Sequence, residues 1–161
     1  RIAWFKVHKP AAYYTAYFTI RADEFDSECM IFGKEKVKNK MKELELQGNS
    51  ISTKDKNVYS ILEIVLEMYE RGINFLPIDL YKSHATKFIL EPEGIRPPLN
   101  SIPGLGTVAA QSIDTAKENG EFMCIDELQQ RAKIGKSVVE LLKKFGCLNG
   151  MTQSNQMSLF A

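Results

Sequence analysis

The sequence predicts a mainly α protein with a small β segment, an α+β fold, on three observations. Thr53 to Arg71 carries Val58, Ile61, Leu62, Val65, Met68 and Tyr69 at helical steps, a stripe that faces a core. Ile73 to Tyr81 and Thr86 to Leu90 are short apolar or β-branched runs bounded by Pro77 and by Glu91-Pro92-Glu93-Gly94, which reads as strands between turns. From residue 99 onward, Gly-bearing turns alternate with short amphipathic stretches, the pattern of small helices joined by tight corners.

Composition narrows the class. The 161 residues are 44% hydrophobic and 25% charged, enough for a core in one domain or two small ones and inconsistent with wholesale disorder. No apolar run approaches the roughly 20 residues of a membrane span, and no signal peptide opens the chain, so the expected compartment is cytoplasmic, with no membrane partner. The opening Arg1-Ile2-Ala3-Trp4-Phe5 lacks an initiator Met and reads as part of something longer. With 21 Lys+Arg against 20 Asp+Glu, the net charge is +1, which excludes a global basic patch. Cys29, Cys124 and Cys147 are odd in number and widely spaced. Without a CxxC or HxxxH pair they read as buried thiols in a reducing compartment, not as zinc ligands.

Element by element, residues 1–9 read as the end of a helix. Pro10 suits the first position of the next one, whose Tyr13, Tyr14, Tyr17 and Phe18 form i, i+4 pairs on one broad face. Core packing is the simpler reading of these rings, and base stacking the other. Asp23 to Asp26 is turn-like and can cap a helix over 27–47. Along that helix Lys34, Lys36, Lys38, Lys40 and Lys42 alternate, which spreads charge around the cylinder and points to a solvated surface. Gly48-Asn49-Ser50 ends it. Thr53 caps the next helix and Gly72 stops it, and Pro97-Pro98 is a stiff joint at a boundary near residues 95–99.

Chemistry concentrates after that joint. In Ile102-Pro103-Gly104-Leu105-Gly106-Thr107, Pro103-Gly104 makes a tight turn, the glycines permit positive φ, and a helix begins near Thr107. Exposed N–H groups at a helix start form an anion site. Ile102, Leu105, Ala109 or Ala110, and Ile113 supply the buried side. A glycine-rich corner that only permits helix packing is the competing reading. A second copy follows, with a helix over Glu121–Ala132, a turn at Lys133-Ile134-Gly135-Lys136 and a helix over Ser137–Phe145 with Val138, Leu141, Leu142 and Phe145 inside. Residues 131–144 hold five basic residues and one acid, with Arg131, Lys133 and Lys136 near the turn and within reach of a phosphate. Residues 149–155 are polar and linker-like, yet the chain closes on Leu159-Phe160, a pair that docks on its own domain or on a partner.

The run Ile102 to Gly106 with Ala110 and Ile113 resembles the helix-hairpin-helix motif at every position. That resemblance implies backbone amides on a DNA phosphate without base reading, with Gly104, Leu105, Gly106, Thr107, Arg131, Lys133 and Lys136 as the phosphate-binding set. Gln156-Met157-Ser158-Leu159-Phe160 looks like the bacterial sliding-clamp pentapeptide, which implies that these five residues bind the clamp (the β subunit). Together with the opening Arg1 to Phe18 and Ile78-Asp79-Leu80-Tyr81-Lys82-Ser83, the chain resembles the C-terminal end of the α subunit of bacterial DNA polymerase III, PolC type. The fold expected on that basis is a helical fingers end with short strands over residues 1–94, tandem helix-hairpin-helix elements over 95–148, and a flexible tail over 149–161. The resemblance further implies DNA replication by nucleotidyl transfer in the full-length enzyme, with Mg²⁺ on palm aspartates, duplex DNA, the clamp and other replisome subunits as partners. The palm has no counterpart here. Asp23, Asp26 and Asp79 match no catalytic position, so the fragment carries no catalytic residue, metal or cofactor of its own and is expected to be inactive alone. Two other classes compete: a non-catalytic adaptor that binds DNA and the clamp, and a helical domain with no nucleic-acid role.

Overall fold

A computed structural model describes residues 1–155. Helices α1 (Ile2–His8) and α2 (Pro10–Ile20) meet at Lys9, and Pro10 opens α2 as its missing N–H allows. Tyr14 and Phe18 on α2 are fully buried and stack at 6.3 Å, so the aromatic face is core. After a 3₁₀ turn (Ala22–Glu24), Asp26 caps the short α3 (Ser27–Met30), its carboxylate accepting the Glu28 amide at 2.9 Å.

The single helix expected over 27–47 is two. α4 (Lys34–Leu46) starts afresh after Gly33, whose φ of +103° no continuous helix tolerates. A distant side chain makes the break affordable: Tyr69 donates its hydroxyl to the Met30 carbonyl at 2.8 Å. The alternating lysines stay on the surface, where Lys34, Lys38 and Lys40 pair with Glu70, Glu35 and Glu43. In α5 (Thr53–Glu70) the cap is Ser52, not Thr53: Ser52 Oγ accepts the Asp55 amide at 3.1 Å. Ile61, Leu62, Val65 and Met68 are fully buried, as the stripe predicts.

The β segment departs further from expectation. Ile73–Tyr81 is not a strand; within it Phe75 makes one parallel bridge to Ile95. The sheet is an antiparallel pair, β1 (Ile89–Glu91) with β2 (Gly94–Arg96), in the register Leu90 opposite Ile95. The supposed turn Glu91–Gly94 contributes both ends to the ladder. Gly94 is required there, because a Cβ would stand 2.5 Å from the Asn74 carbonyl oxygen that accepts the Ile95 amide. Buried Arg96 grips Glu91 and the Pro77 carbonyl.

The last helices are α6 (Thr107–Lys117), α7 (Ile125–Ala132) and α8 (Lys136–Lys144). α7 begins four residues later than expected. On α8, Val139 and Leu142 are the buried pair, while Val138, Leu141 and the C-cap Phe145 are partly buried.

Two apolar cores result. The first gathers α2, α4, α5 and the rings of Phe25, Phe75 and Phe88, with Phe25 and Phe88 centred 4.8 Å apart. The second gathers Ile78, Leu80, Ala85, Leu99, Ile102 and Leu105 with α6, α7, α8 and Leu148. The cores interleave along the chain: Ile78, Leu80 and Ala85 pack with the hairpin helices although they precede residue 94, and Ile95 packs with the first core. Ile31 touches both. The start of the tail is docked as well. Thr152 and Gln153 carbonyls accept the Ile125 and Asp126 amides at 2.9 and 3.0 Å, so residues 152–153 cap α7.

Candidate functional site

The Leu105 amide donates to the Ile102 carbonyl at 3.0 Å across Pro103-Gly104. With Gly104 at φ +86°, this is a turn whose third position demands glycine. Leu105 then inserts into the second core, 3% exposed. Gly106 caps α6 at φ −69°, ψ 158°. Positive φ is therefore needed at Gly104 and not at Gly106, a correction to the expectation for both glycines. What distinguishes Gly106 is open space: no atom lies within 4 Å of the position its Cβ would take.

Among the described residues, the amides of Gly104, Gly106, Thr107, Val108 and Ala109 donate to no protein acceptor, and no side chain caps α6. Leu105 is not a donor, since its amide closes the turn and its side chain is buried; it anchors the loop. Val108 and Ala109 were not legible as site residues from the motif. Their signal is the helix start itself, because the first four N–H groups of any helix lack intrahelical partners.

The second turn repeats this geometry with different residues. Lys133 takes φ +53°, the one positive φ outside glycine among the described residues, and its amide caps the Gln129 carbonyl. Gly135 then starts α8 without a side-chain cap, and the amides of Gly135, Lys136, Ser137 and Val138 have no protein acceptor among the described residues. Lys133 and Lys136 are exposed and make no ion pair among those residues. A groove of about 380 Å³ brings Lys133 opposite Val108, Gln111, Thr115 and Asn119 of α6.

Arg131 does not join them. Its guanidinium turns inward, donating to the carbonyls of Ala116 (2.6 Å), Gly120 (3.0 Å) and Glu121 (3.1 Å) and to Glu127 (3.0 Å), and it lies 4.4 Å from the Phe122 ring centre. It closes the open C-terminal end of α6, so the expectation of a phosphate contact gives way to a packing role. Lys143 and Lys144 pair with Glu140 and Glu28. The local basic surplus therefore rests on Lys133 and Lys136.

On its other side the first turn opens into a cleft of about 520 Å³, walled by Asp23, Glu24, Asp26 and Lys54. Asp26 is committed as the α3 cap, Glu24 binds Arg21 and Asn57, and Asp79 accepts the Tyr81 and Lys82 amides. These carboxylates do not converge and do not fit a pair of magnesium ions. Among the described residues no group of three His, Cys, Asp or Glu is placed to hold a metal, and no helix is long and apolar enough to cross a membrane. Cys29 and Cys124 are buried thiols; Cys147 is half-buried. Gln156, Met157, Ser158, Leu159 and Phe160 lie outside the described residues.

Comparison with known proteins agrees with this geometry. The helix-hairpin-helix motif matches residues 72–158, more than half of the chain. PolC-type DNA polymerase III of Clostridium perfringens is 55% identical over 160 residues, and those of Caldanaerobacter subterraneus subsp. tengcongensis and Bacillus subtilis are each 48% identical over the same length. Each alignment covers 99% of this chain and 11% of the relative, so the chain spans about a ninth of the proteins it matches. The chain thus belongs to the helix-hairpin-helix family, and the resemblance to PolC-type DNA polymerase III carried by its residues holds along nearly its whole length.

Proposed function

We propose that this chain grips the sugar-phosphate backbone of duplex DNA without reading bases, as one part of a replicative polymerase of PolC type. The observation that carries the reading is the set of unpartnered amides at Gly104, Gly106, Thr107, Val108 and Ala109, at the positive end of α6. A phosphate oxygen satisfies those donors and meets the helix dipole favourably, and neither interaction depends on base identity. The second turn supplies a similar set, with exposed Lys133 and Lys136 as counter-charges. Leu105, Ile102 and Arg131 hold the two turns in shape.

In this reading nucleotidyl transfer, with its Mg²⁺ ions, belongs to the rest of a full-length cytoplasmic polymerase, and this stretch alone is inactive. Its role there is to hold the duplex while Gln156-Met157-Ser158-Leu159-Phe160 tethers the enzyme to the sliding clamp, alongside other replisome subunits. The test is anisotropy titration of labelled duplexes of two unrelated sequences. Equal affinities that fall together on Gly106→Val support the reading; sequence preference, or indifference to that substitution, contradicts it.

A further inference from the structure

Among the described residues, one fully buried polar link lies between the two cores. Ser27 on α3 and Ser101, just ahead of the Ile102-Pro103-Gly104 turn, are 0% and 1% exposed. Ser27 Oγ donates toward Ser101, 2.7 Å from both its carbonyl oxygen and its Oγ, and Ser101 Oγ donates to the Pro98 carbonyl. The other polar contact between α3 and the hairpin helices among the described residues, Glu28 with Lys144 at 2.8 Å, joins two side chains at least half exposed, so salt screens it. Phe32, just beyond α3, stacks on Phe145 at 5.9 Å. α3 therefore braces both ends of the hairpin region, and Ser27 braces the end that leads into the amide site.

We propose that Ser27 is a positioning residue for DNA binding: through Ser101 it aims the turn whose amides take the phosphate. This rests on the amide-site reading above. The Ser101 carbonyl is buried, and without Ser27 it has no partner in place. A buried acceptor left unsatisfied shifts until it finds one. The shift falls on the Ser101–Ile102 peptide, immediately before Pro103 and Gly104. Because the free amides of Gly104 and of Gly106 to Ala109 act as one cradle, a small rotation at its entrance misaims several donors at once. The first core is thereby coupled to the grip on DNA, although none of its own residues needs to touch the duplex.

The experiment measures duplex affinity and urea stability in parallel for the 161-residue chain and for Ser27→Ala, Ser27→Cys, Ser101→Ala, the Ser27→Ala/Ser101→Ala pair, and Gly106→Val. The probe is a fluorescein-labelled duplex of mixed sequence. Cysteine keeps the shape and weakens the donor, which covers the case in which alanine prevents folding. Each serine variant that folds should bind about three- to ten-fold more weakly while fully folded. The double variant should bind no more weakly than either single one, as one relay requires. Amide exchange should rise at Leu105, whose N–H closes the turn, before it rises on α5. Serine variants that lose stability yet bind normally when folded overturn the proposal while Gly106→Val still weakens binding. If the wild-type chain does not bind, or Gly106→Val binds as well as wild type, the amide site itself fails and this inference fails with it.

Discussion

Gly104 lies against Leu141: a methyl group on Gly104 would stand 3.3 Å from Leu141 Cδ1. The turn of the first hairpin thus rests on the last helix of the second, and the two proposed phosphate sites share one scaffold. Gly104 meets two demands together, a φ of +86° and a close approach, whereas Gly106 meets neither.

The two glycines should therefore separate stability from binding. Gly104→Ala should cost about 1–2 kcal/mol through its left-handed backbone alone, with crowding at Leu141 added. Gly106→Ala should leave stability within about 0.5 kcal/mol, because its Cβ projects into open space. Urea denaturation of both variants checks this, and equal losses would contradict the assigned geometry.

Arg131 and Lys133 should separate in the same way. Arg131→Ala removes three bonds to backbone carbonyls, one to Glu127 and the stacking on Phe122. The expected loss is about 2–3 kcal/mol of stability. Lys133→Ala and Lys136→Ala should unfold like the parent, and each should reduce the salt slope of duplex binding by about 1. A parent-like melting curve for Arg131→Ala would return that side chain to the DNA-facing set.

What was legible in the sequence follows range of interaction. The stripe from Val58 to Tyr69, Pro10 at a helix start and the Pro103-Gly104 turn are local, so residue type and spacing revealed them. The break at Gly33 depends on Tyr69 of α5 reaching the Met30 carbonyl, a contact across most of the first core. β2 hid inside what read as a turn, because Gly94 answers to the Asn74 backbone and not to its neighbours. Arg131 read as a phosphate ligand because spacing shows the turn beside it but not the end of α6 beneath it. The polar segment after Leu148 read as linker, yet its carbonyls cap α7, a pairing no local pattern encodes.

Stability should fall on the alkaline side. Burial pushes the Cys29 and Cys147 thiols and the Tyr69 phenol up to about 12. An unfolded chain releases these protons nearer the ordinary values of 9.0 and 10.0, so above pH ~9 the folded state binds more protons and loses ground as pH rises. On the acid side, Lys144, Arg96 and the Met123 amide hold the carboxyls of Glu28, Glu91 and Glu127 below their usual range. Their contribution is present above the ordinary 4.5 and is lost as pH falls; it is small at such exposed sites. Urea midpoints should be level from about pH 5 to 8 and decline beyond about 9. A midpoint that climbs above pH 9 would contradict the burial of these groups.

Two truncations should dissect the tail. Ending the chain after Leu148 removes the carbonyls that cap Ile125 and Asp126 and the Gln153–Asp126 bond of 2.8 Å. That should cost about 1–2 kcal/mol, the scale of a lost helix cap. If Gln156 to Phe160 tether the chain to the clamp as proposed, ending it after Asn155 should leave duplex binding unchanged and abolish clamp binding, as should Leu159→Ala with Phe160→Ala. Calorimetry against the purified clamp reads the second effect, and undiminished affinity in either variant would place the clamp contact elsewhere.

The most direct test of the central claim is the salt dependence of duplex binding, measured for the parent chain, Gly106→Val and Lys144→Ala, all shown to be folded. Backbone contact to two or three phosphates predicts weak parent binding, with a dissociation constant of ~10⁻⁴–10⁻⁶ M and a log–log slope of about −2 to −3, the same for unrelated sequences. Gly106→Val, which places a branched side chain where the phosphate must approach, should lose most of that affinity, and Lys144→Ala, whose charge already pairs with Glu28, should lose little. A slope near zero, a marked sequence preference, or equal losses in the two variants would contradict the account.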